Sequence, residues 1–130
     1  VNVASRCGFT KQYDDLQSLW TNYKDKGLIV IGIPTNDFKQ EPASNSEIKD
    51  FCEQNFNIDF PMTEKINVLG REAHAFYKWA KDNHGKKAVP KWNFHKIIIN
   101  KKGKIVDTFA SITNPSSSRF INFIEDQIKN

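Results

Sequence analysis

The sequence predicts an α/β fold, a central mixed β-sheet flanked by helices on both faces. Three observations carry that expectation. Residues 28–34 (Leu-Ile-Val-Ile-Gly-Ile-Pro) include no polar side chain, as suits a strand buried on both sides of a covered sheet. Amphipathic helical stretches alternate with apolar β-like runs along the chain. Near the C-terminal end, two apolar runs flank Asn100-Lys101-Lys102-Gly103, the pattern of an antiparallel hairpin whose glycine supplies the turn dihedral.

The chain opens in a β-like run, Val1-Asn2-Val3-Ala4. Over residues 10–26, Tyr13, Leu16, Leu19, Trp20 and Tyr23 recur three or four apart and Gly27 follows as a stop, which predicts a helix packed by one face. After the apolar strand at 28–34, a polar loop over residues 35–43 leads into a second helix. There Ser44 and Glu47 have the spacing of a capping box, and Ile48, Phe51, Cys52 and Phe56 share a face. A third helical pattern covers residues 73–81, with Phe76, Tyr77 and Ala80 as its buried positions. The hairpin pairs residues 94–99 with 104–109, and Phe120, Ile121, Ile124 and Ile128 mark a last helix over residues 116–128. The order is β-α-β-α-α-β-β-α. With one more N-terminal strand, it describes a thioredoxin-like layer of four or more strands. No internal repeat, linker or low-complexity segment divides it, so residues 1–130 form one domain.

Composition removes several classes of function. With 38% hydrophobic and 12% aromatic residues, the chain has enough apolar surface to fold. No apolar run reaches the roughly 18 residues of a membrane span, so no stable membrane insertion is expected. The net charge of +4 is mild. Lys86, Lys87 and Lys91, and Lys101, Lys102 and Lys104, are short loop clusters that read as solvated surface, with no nucleic-acid partner. Two cysteines are too few for a disulfide scaffold, and neither they nor His74, His84 and His95 have metal-ligand spacing. Cysteine is therefore core filler or chemistry. Because the first residue is Val and the chain begins within a strand pattern, an N-terminal hairpin or strand is expected to be missing. Localisation stays open between the cytoplasm and export to the periplasm.

Cys7 stands between the first strand and the first helix, where unpaired N–H groups and the helix dipole favour an anion and so a thiolate. Its neighbours Ser5, Arg6, Gly8 and Thr10 read as an accessible turn, which favours a reactive over a structural cysteine. Three residues on lies Thr10, so there is no Cys-x-x-Cys dithiol.

Four segments, in order, carry a family resemblance. Residues 2–10 (Asn-Val-Ala-Ser-Arg-Cys-Gly-Phe-Thr), residues 36–42 (Asn-Asp-Phe-Lys-Gln-Glu-Pro), Phe60-Pro61-Met62 with residues 65–68 (Lys-Ile-Asn-Val), and residues 91–94 (Lys-Trp-Asn-Phe) resemble the motifs of the glutathione peroxidases. The likeness covers essentially the whole chain. It implies a peroxidatic Cys7 assisted by Gln40, Trp92 and Asn93. Two amides and an indole can polarise a thiolate and a leaving peroxide oxygen without titrating themselves. Taken without the family, Gln40 reads as loop surface, Asn93 as a turn or cap, and Trp92 as a core aromatic. Departures from the family pattern are Thr35 and Asp37, where many relatives have Cys and Gln, and one residue fewer between Phe38 and Lys39.

The resemblance also makes Cys52 the resolving cysteine of the thioredoxin-dependent type, within Phe51-Cys52-Glu53-Gln54-Asn55-Phe56. Read by spacing alone, Cys52 is a small apolar residue on the inner helix face. The implied activity is a thiol-dependent peroxidase reducing hydrogen peroxide and organic or lipid hydroperoxides through a Cys7 sulfenic acid. Its co-substrate is thioredoxin, or alternatively glutathione, with no cofactor and no metal. The competing reading is a thiol redox sensor or relay that oxidises a partner protein. The resemblance further implies a monomer or weak dimer, because the short 85–90 connection lacks the long insertion that tetrameric members of that family use in assembly.

Overall fold

In the computed structural model, which describes residues 1–130, the elements follow the expected order. They are β1 (Asn2–Val3), α1 (Gln12–Tyr23), β2 (Ile33–Pro34), α2 (Asn45–Phe56), α3 (Ala75–His84), β3 (Lys96–Ile99), β4 (Ile105–Phe109) and α4 (Ser118–Lys129). Single turns of tighter helix extend α1 over Lys24–Lys26 and α3 over Gly85–Ala88. β1 and β2 pair in parallel, Asn2 opposite Ile33 and Val3 opposite Pro34. β3 and β4 pair antiparallel, with an irregularity between Ile98 and Ile99. One backbone bond joins the two ribbons, Phe94 N–H donating to Asn2 O at 2.6 Å, and a parallel bridge adds Met62 beside Gly32. In place of one continuous mixed sheet, the regular strands form two two-stranded ribbons, linked through the turn that precedes β3.

Strand alternation explains why helices cover both faces. Val3 packs into a core with Leu16 and Leu19 of α1, Ile48 and Cys52 of α2, and Phe120 and Ile124 of α4. Ile33 joins a second core with Val68, Ala73 and Tyr77, the last from α3. Ile97 and Ile98, neighbours on β3, divide between the second and the first.

Local signals set the helix ends. Gly27, at φ 104°, stops the first helix in a left-handed conformation. The capping box at α2 is complete, Ser44 Oγ accepting from Glu47 N–H and the Glu47 carboxylate accepting from Ser44 N–H. α3 starts two residues later and ends three residues later than its periodicity predicts. His74 caps it, with Nδ1 accepting from Phe76 N–H at 3.1 Å, a role the sequence reading did not assign.

The strand at 28–34 departs from expectation. Only Ile33–Pro34 form regular strand, and Ile29 and Ile31 are 69% and 45% exposed. Ile29, Ile31 and Ile33 point to one face, and only Ile33 lies beneath the α3 cluster. The other two line an open apolar groove of about 770 Å³ with Ile97, Ile99 and Ile128. Trp79 on α3 is exposed, its ring tilted against that of Phe76 at 5.8 Å.

The polar knot beneath the fold is Lys96, which is buried. Its ammonium donates to Gln12 Oε1 and to the carbonyls of Thr113, Ser111 (3.2 Å) and Ala110 (3.4 Å), while Gln12 Nε2 donates to Ser111 O at 2.6 Å. β3, the start of α1 and the loop after β4 are thereby fixed to one another. Burial pushes the Lys96 ammonium down to about 7. Lys96→Met leaves these acceptors without their donor and lowers stability by about 2–3 kcal/mol, read as a lower urea midpoint. Between about pH 7 and 10.5 the unfolded lysine still holds a proton that the folded one has lost. Wild-type stability therefore rises with pH through that window relative to Lys96→Met.

Candidate active site

Cys7 lies in the turn that leads from β1 into α1. Thr10 N–H donates to its carbonyl at 3.2 Å, and Phe9 N–H donates to its sulfur at 3.4 Å. That N–H is the kind of donor that stabilises a thiolate. The accessible turn expected from the sequence is corrected: Cys7 is 5% exposed and part of the main core. The small and polar neighbours expose the turn's backbone, while the sulfur itself points inward.

The turn is anchored by a buried carboxylate. Glu41 is fully buried, and its Oε2 accepts from Ser5 N–H at 2.8 Å while its Oε1 accepts from Ser5 Oγ–H. Burial pushes the Glu41 carboxyl up, and the two Ser5 bonds and the Lys65 ammonium pull against that. Alongside, Arg6 N–H donates to Gln40 O at 3.0 Å. The Gln40 loop and the Cys7 turn therefore run side by side.

That loop is built from short polar side chains. Thr35 Oγ1 accepts from Asp37 N–H at 3.2 Å, and Asn36 Oδ1 accepts from Glu41 N–H at 3.0 Å. Asp37 Oδ2 accepts from Val68 N–H (2.6 Å) and Leu69 N–H (2.9 Å). The departures at positions 35 and 37 thus have structural work in this chain. A turn closes the shortened loop, Lys39 N–H donating to Asn36 O at 2.8 Å, with Lys39 left-handed at φ 59°.

Trp92 and Asn93 occupy the turn before β3. Asn2 Nδ2 donates to Trp92 O at 3.0 Å, Phe94 N–H donates to Asn2 O, and the Trp92 ring lies 5.3 Å from that of Phe38. Phe94 is left-handed at φ 63°. Non-glycine residues in that region cost about 1–3 kcal/mol and cluster at functional sites. Here one follows Asn93 and the other precedes Gln40.

The structure therefore brings the Cys7, Gln40 and Trp92–Asn93 segments together around the end of β1. It does not aim every side chain at the sulfur. Gln40 Nε2 makes only a long bond, 3.5 Å, to Lys39 O, and Trp92 is 36% exposed rather than a core aromatic. Asn93 is fully buried with neither amide atom hydrogen-bonded, a state that costs about 1–3 kcal/mol per group unless a ligand completes it.

Cys52 is buried on α2 and is a free thiol, as is Cys7. Burial pushes its thiol up to about 11. It lines a cleft of about 470 Å³ between α2 and the 58–64 segment. Glu41 and Asn2 were not assigned to the site from sequence. Glu41 and Asn2 stand within the quoted motifs, but a glutamate reads as surface and an asparagine as a turn until their partners are known.

The chain as a whole is similar to proteins of one family. The family model described as glutathione peroxidase matches residues 1–81, more than half of the chain. Glutathione peroxidase-like peroxiredoxin 2 of Saccharomyces cerevisiae is 45% identical over 122 residues, covering 90% of this chain and 75% of its own. The hydroperoxy fatty acid reductase gpx1 of Synechocystis is 41% identical over 124 residues, with 88% and 73% covered. Among solved structures, Trgpx in apo form superposes with a TM-score of 0.74 at 35% identity over 100% of this chain and 78% of that one. T. cruzi GPX1 gives 0.72 at 30% identity, over 99% and 79%. A family model over more than half of its length and relatives above 40% identity over most of it show that the chain belongs to the glutathione peroxidase family.

Proposed function

We propose that the chain is a thiol-dependent peroxidase in which Cys7 is the nucleophile, Cys52 the resolving thiol and thioredoxin the reductant. The observation that carries this reading is the Asn93 amide, buried without a partner in the turn bonded to the strand that delivers Cys7. An oxygen entering there would satisfy it.

The Cys7 thiolate attacks the nearer oxygen of a hydroperoxide, the O–O bond breaks, and the departing alkoxide takes a proton to leave as alcohol or water. Asn93 Nδ2, Gln40 Nε2 and Trp92 Nε1 are the donors that stabilise the charge as it moves onto that oxygen. The Gln40 amide is held by one long bond to Lys39 O and is free to turn toward the sulfur when substrate binds. The exposed Trp92 face leaves room for bulky organic and lipid hydroperoxides, in keeping with the Synechocystis relative named for hydroperoxy fatty acids.

The Cys7 sulfenic acid is then resolved by Cys52 with loss of water, and a dithiol of the thioredoxin type reduces the disulfide. The name peroxiredoxin borne by the yeast relative supports thioredoxin over glutathione. Cys52 sits on a regular helix, so the disulfide requires α2 to unwind locally. The reading needs no metal or organic cofactor, and the catalytic unit is a monomer or weak dimer.

NADPH-coupled turnover of hydrogen peroxide and of an alkyl hydroperoxide, with thioredoxin or with glutathione, tests the assignment. Turnover is expected with thioredoxin and is lost, by at least about a hundredfold, in both Cys7→Ser and Cys52→Ser. Glutathione-driven turnover that survives Cys52→Ser would make Cys52 structural, and no turnover with either reductant would point to a redox relay. Oxidation is expected to raise hydrogen exchange across residues 44–56, and equal protection in both redox states would argue against unwinding. Glu41→Ala removes the acceptor for both Ser5 donors, and about a tenfold fall in the second-order peroxide rate is expected by stopped-flow.

A further inference from the structure

The Tyr13 side chain is fully buried on α1, yet its hydroxyl has no hydrogen-bond partner. Its ring is held between Phe51 and Phe56 of α2, at centroid distances of 6.3 and 5.3 Å, and Phe94, at 5.2 Å. Phe51 and Phe56 flank Cys52 along α2, and Phe94 follows Asn93. Tyr13, Cys7 and Cys52 belong to one buried core cluster, so the unpaired hydroxyl lies in the same packed interior as both sulfurs. A phenylalanine would make the same ring contacts without an unpaired oxygen. The hydroxyl therefore costs stability in the reduced enzyme, and a state in which it is paired would account for it.

We propose that the Tyr13 hydroxyl finds its partner during resolution, donating a hydrogen bond to the Cys52 thiolate as that sulfur attacks the Cys7 sulfenic acid. This rests on the reading of Cys52 as the resolving thiol. In the step, the Cys52 thiol gives up its proton and its sulfur forms a bond to the Cys7 sulfur. The Cys7 S–O bond breaks, and the departing hydroxide takes up a proton as water. Cys52 is oxidised and Cys7 reduced to the disulfide level.

Burial and the carboxylates of Glu41 and Glu53 disfavour a Cys52 thiolate, and a hydroxyl that donates to the thiolate as it forms would offset them. Tyr13 belongs to α1, into which the Cys7 turn leads, so its hydroxyl stays near the acceptor sulfur while α2 moves. Without that hydroxyl the sulfenic acid lives longer. A second hydroperoxide then converts it to sulfinic acid, releasing one more alcohol.

Tyr13→Phe, wild type and Cys52→Ser would each be mixed with excess alkyl hydroperoxide and quenched at intervals. Sulfenic acid is trapped with dimedone, and disulfide and sulfinic acid are read from the intact mass. For Tyr13→Phe, sulfenic acid is expected to form within about twofold of the wild-type rate, while disulfide forms about tenfold more slowly, the scale of one hydrogen bond to a charged group. The sulfinic fraction rises, and the thermal midpoint is equal to or above that of wild type. Disulfide formation as fast as in wild type would overturn the role of Tyr13 and leave Cys52 as resolver. Equal slowing of both steps with a lowered midpoint would mark a purely structural tyrosine and also overturn it. Absence of the disulfide in wild type would overturn both readings.

Discussion

The site depends on one buried carboxylate. Glu41 is out of water altogether, and both its oxygens are taken by Ser5, two residues before Cys7. A desolvated carboxylate is tolerable only where charge-assisted donors replace water, so its presence fixes the Ser5 turn and the Gln40 loop as one unit. The Arg6–Gln40 backbone bond and the bond from Glu41 N–H to Asn36 extend that unit outward. A turn so constrained can hold a nucleophile between strand and helix without relying on an exposed, mobile loop.

β1 performs the same service on the other side. Its two residues are buried, and each edge is bonded to a segment that carries part of the site. β2 leads into the Gln40 loop, and Asn2 holds the Trp92–Asn93 turn by main chain and side chain together. The left-handed residues Lys39 and Phe94 are the backbone strain of this convergence, and Asn93 and Tyr13 are its unpaired polar groups. Backbone strain and unsatisfied buried polar groups are features that gather at functional sites.

The two cysteines share this core but belong to elements of different character. Cys7 sits in a turn at the end of β1, whereas Cys52 lies mid-helix with its thiol raised by burial. α2 is held at its start by an exposed capping box and on its inner face by aromatic contacts to Tyr13. Its outer face is exposed, and a cleft separates it from the 58–64 segment beside Ile48 and Cys52. A helix held in this way can be stable when reduced and still be the element that yields when oxidised.

The sequence by itself determined the order of elements, the buried faces of α1, α2 and α4, the capping box at Ser44 and the four motif segments that place Cys7, Gln40, Trp92 and Asn93. These are legible because they depend on neighbours three or four residues away, or on short stretches whose chemistry survives out of context. Only the tertiary structure decided that Cys7 is buried, that Ile29 and Ile31 lie open, that Glu41 and Lys96 are buried anchors, and that the Tyr13 hydroxyl is left without a partner in the core that holds both cysteines. Each of those depends on groups tens of residues distant: Ser5 for Glu41, Gln12 and Thr113 for Lys96, α3 for the face of the 29–33 run. Burial and hydrogen-bond satisfaction are properties of what packs against a residue, and no local pattern records them.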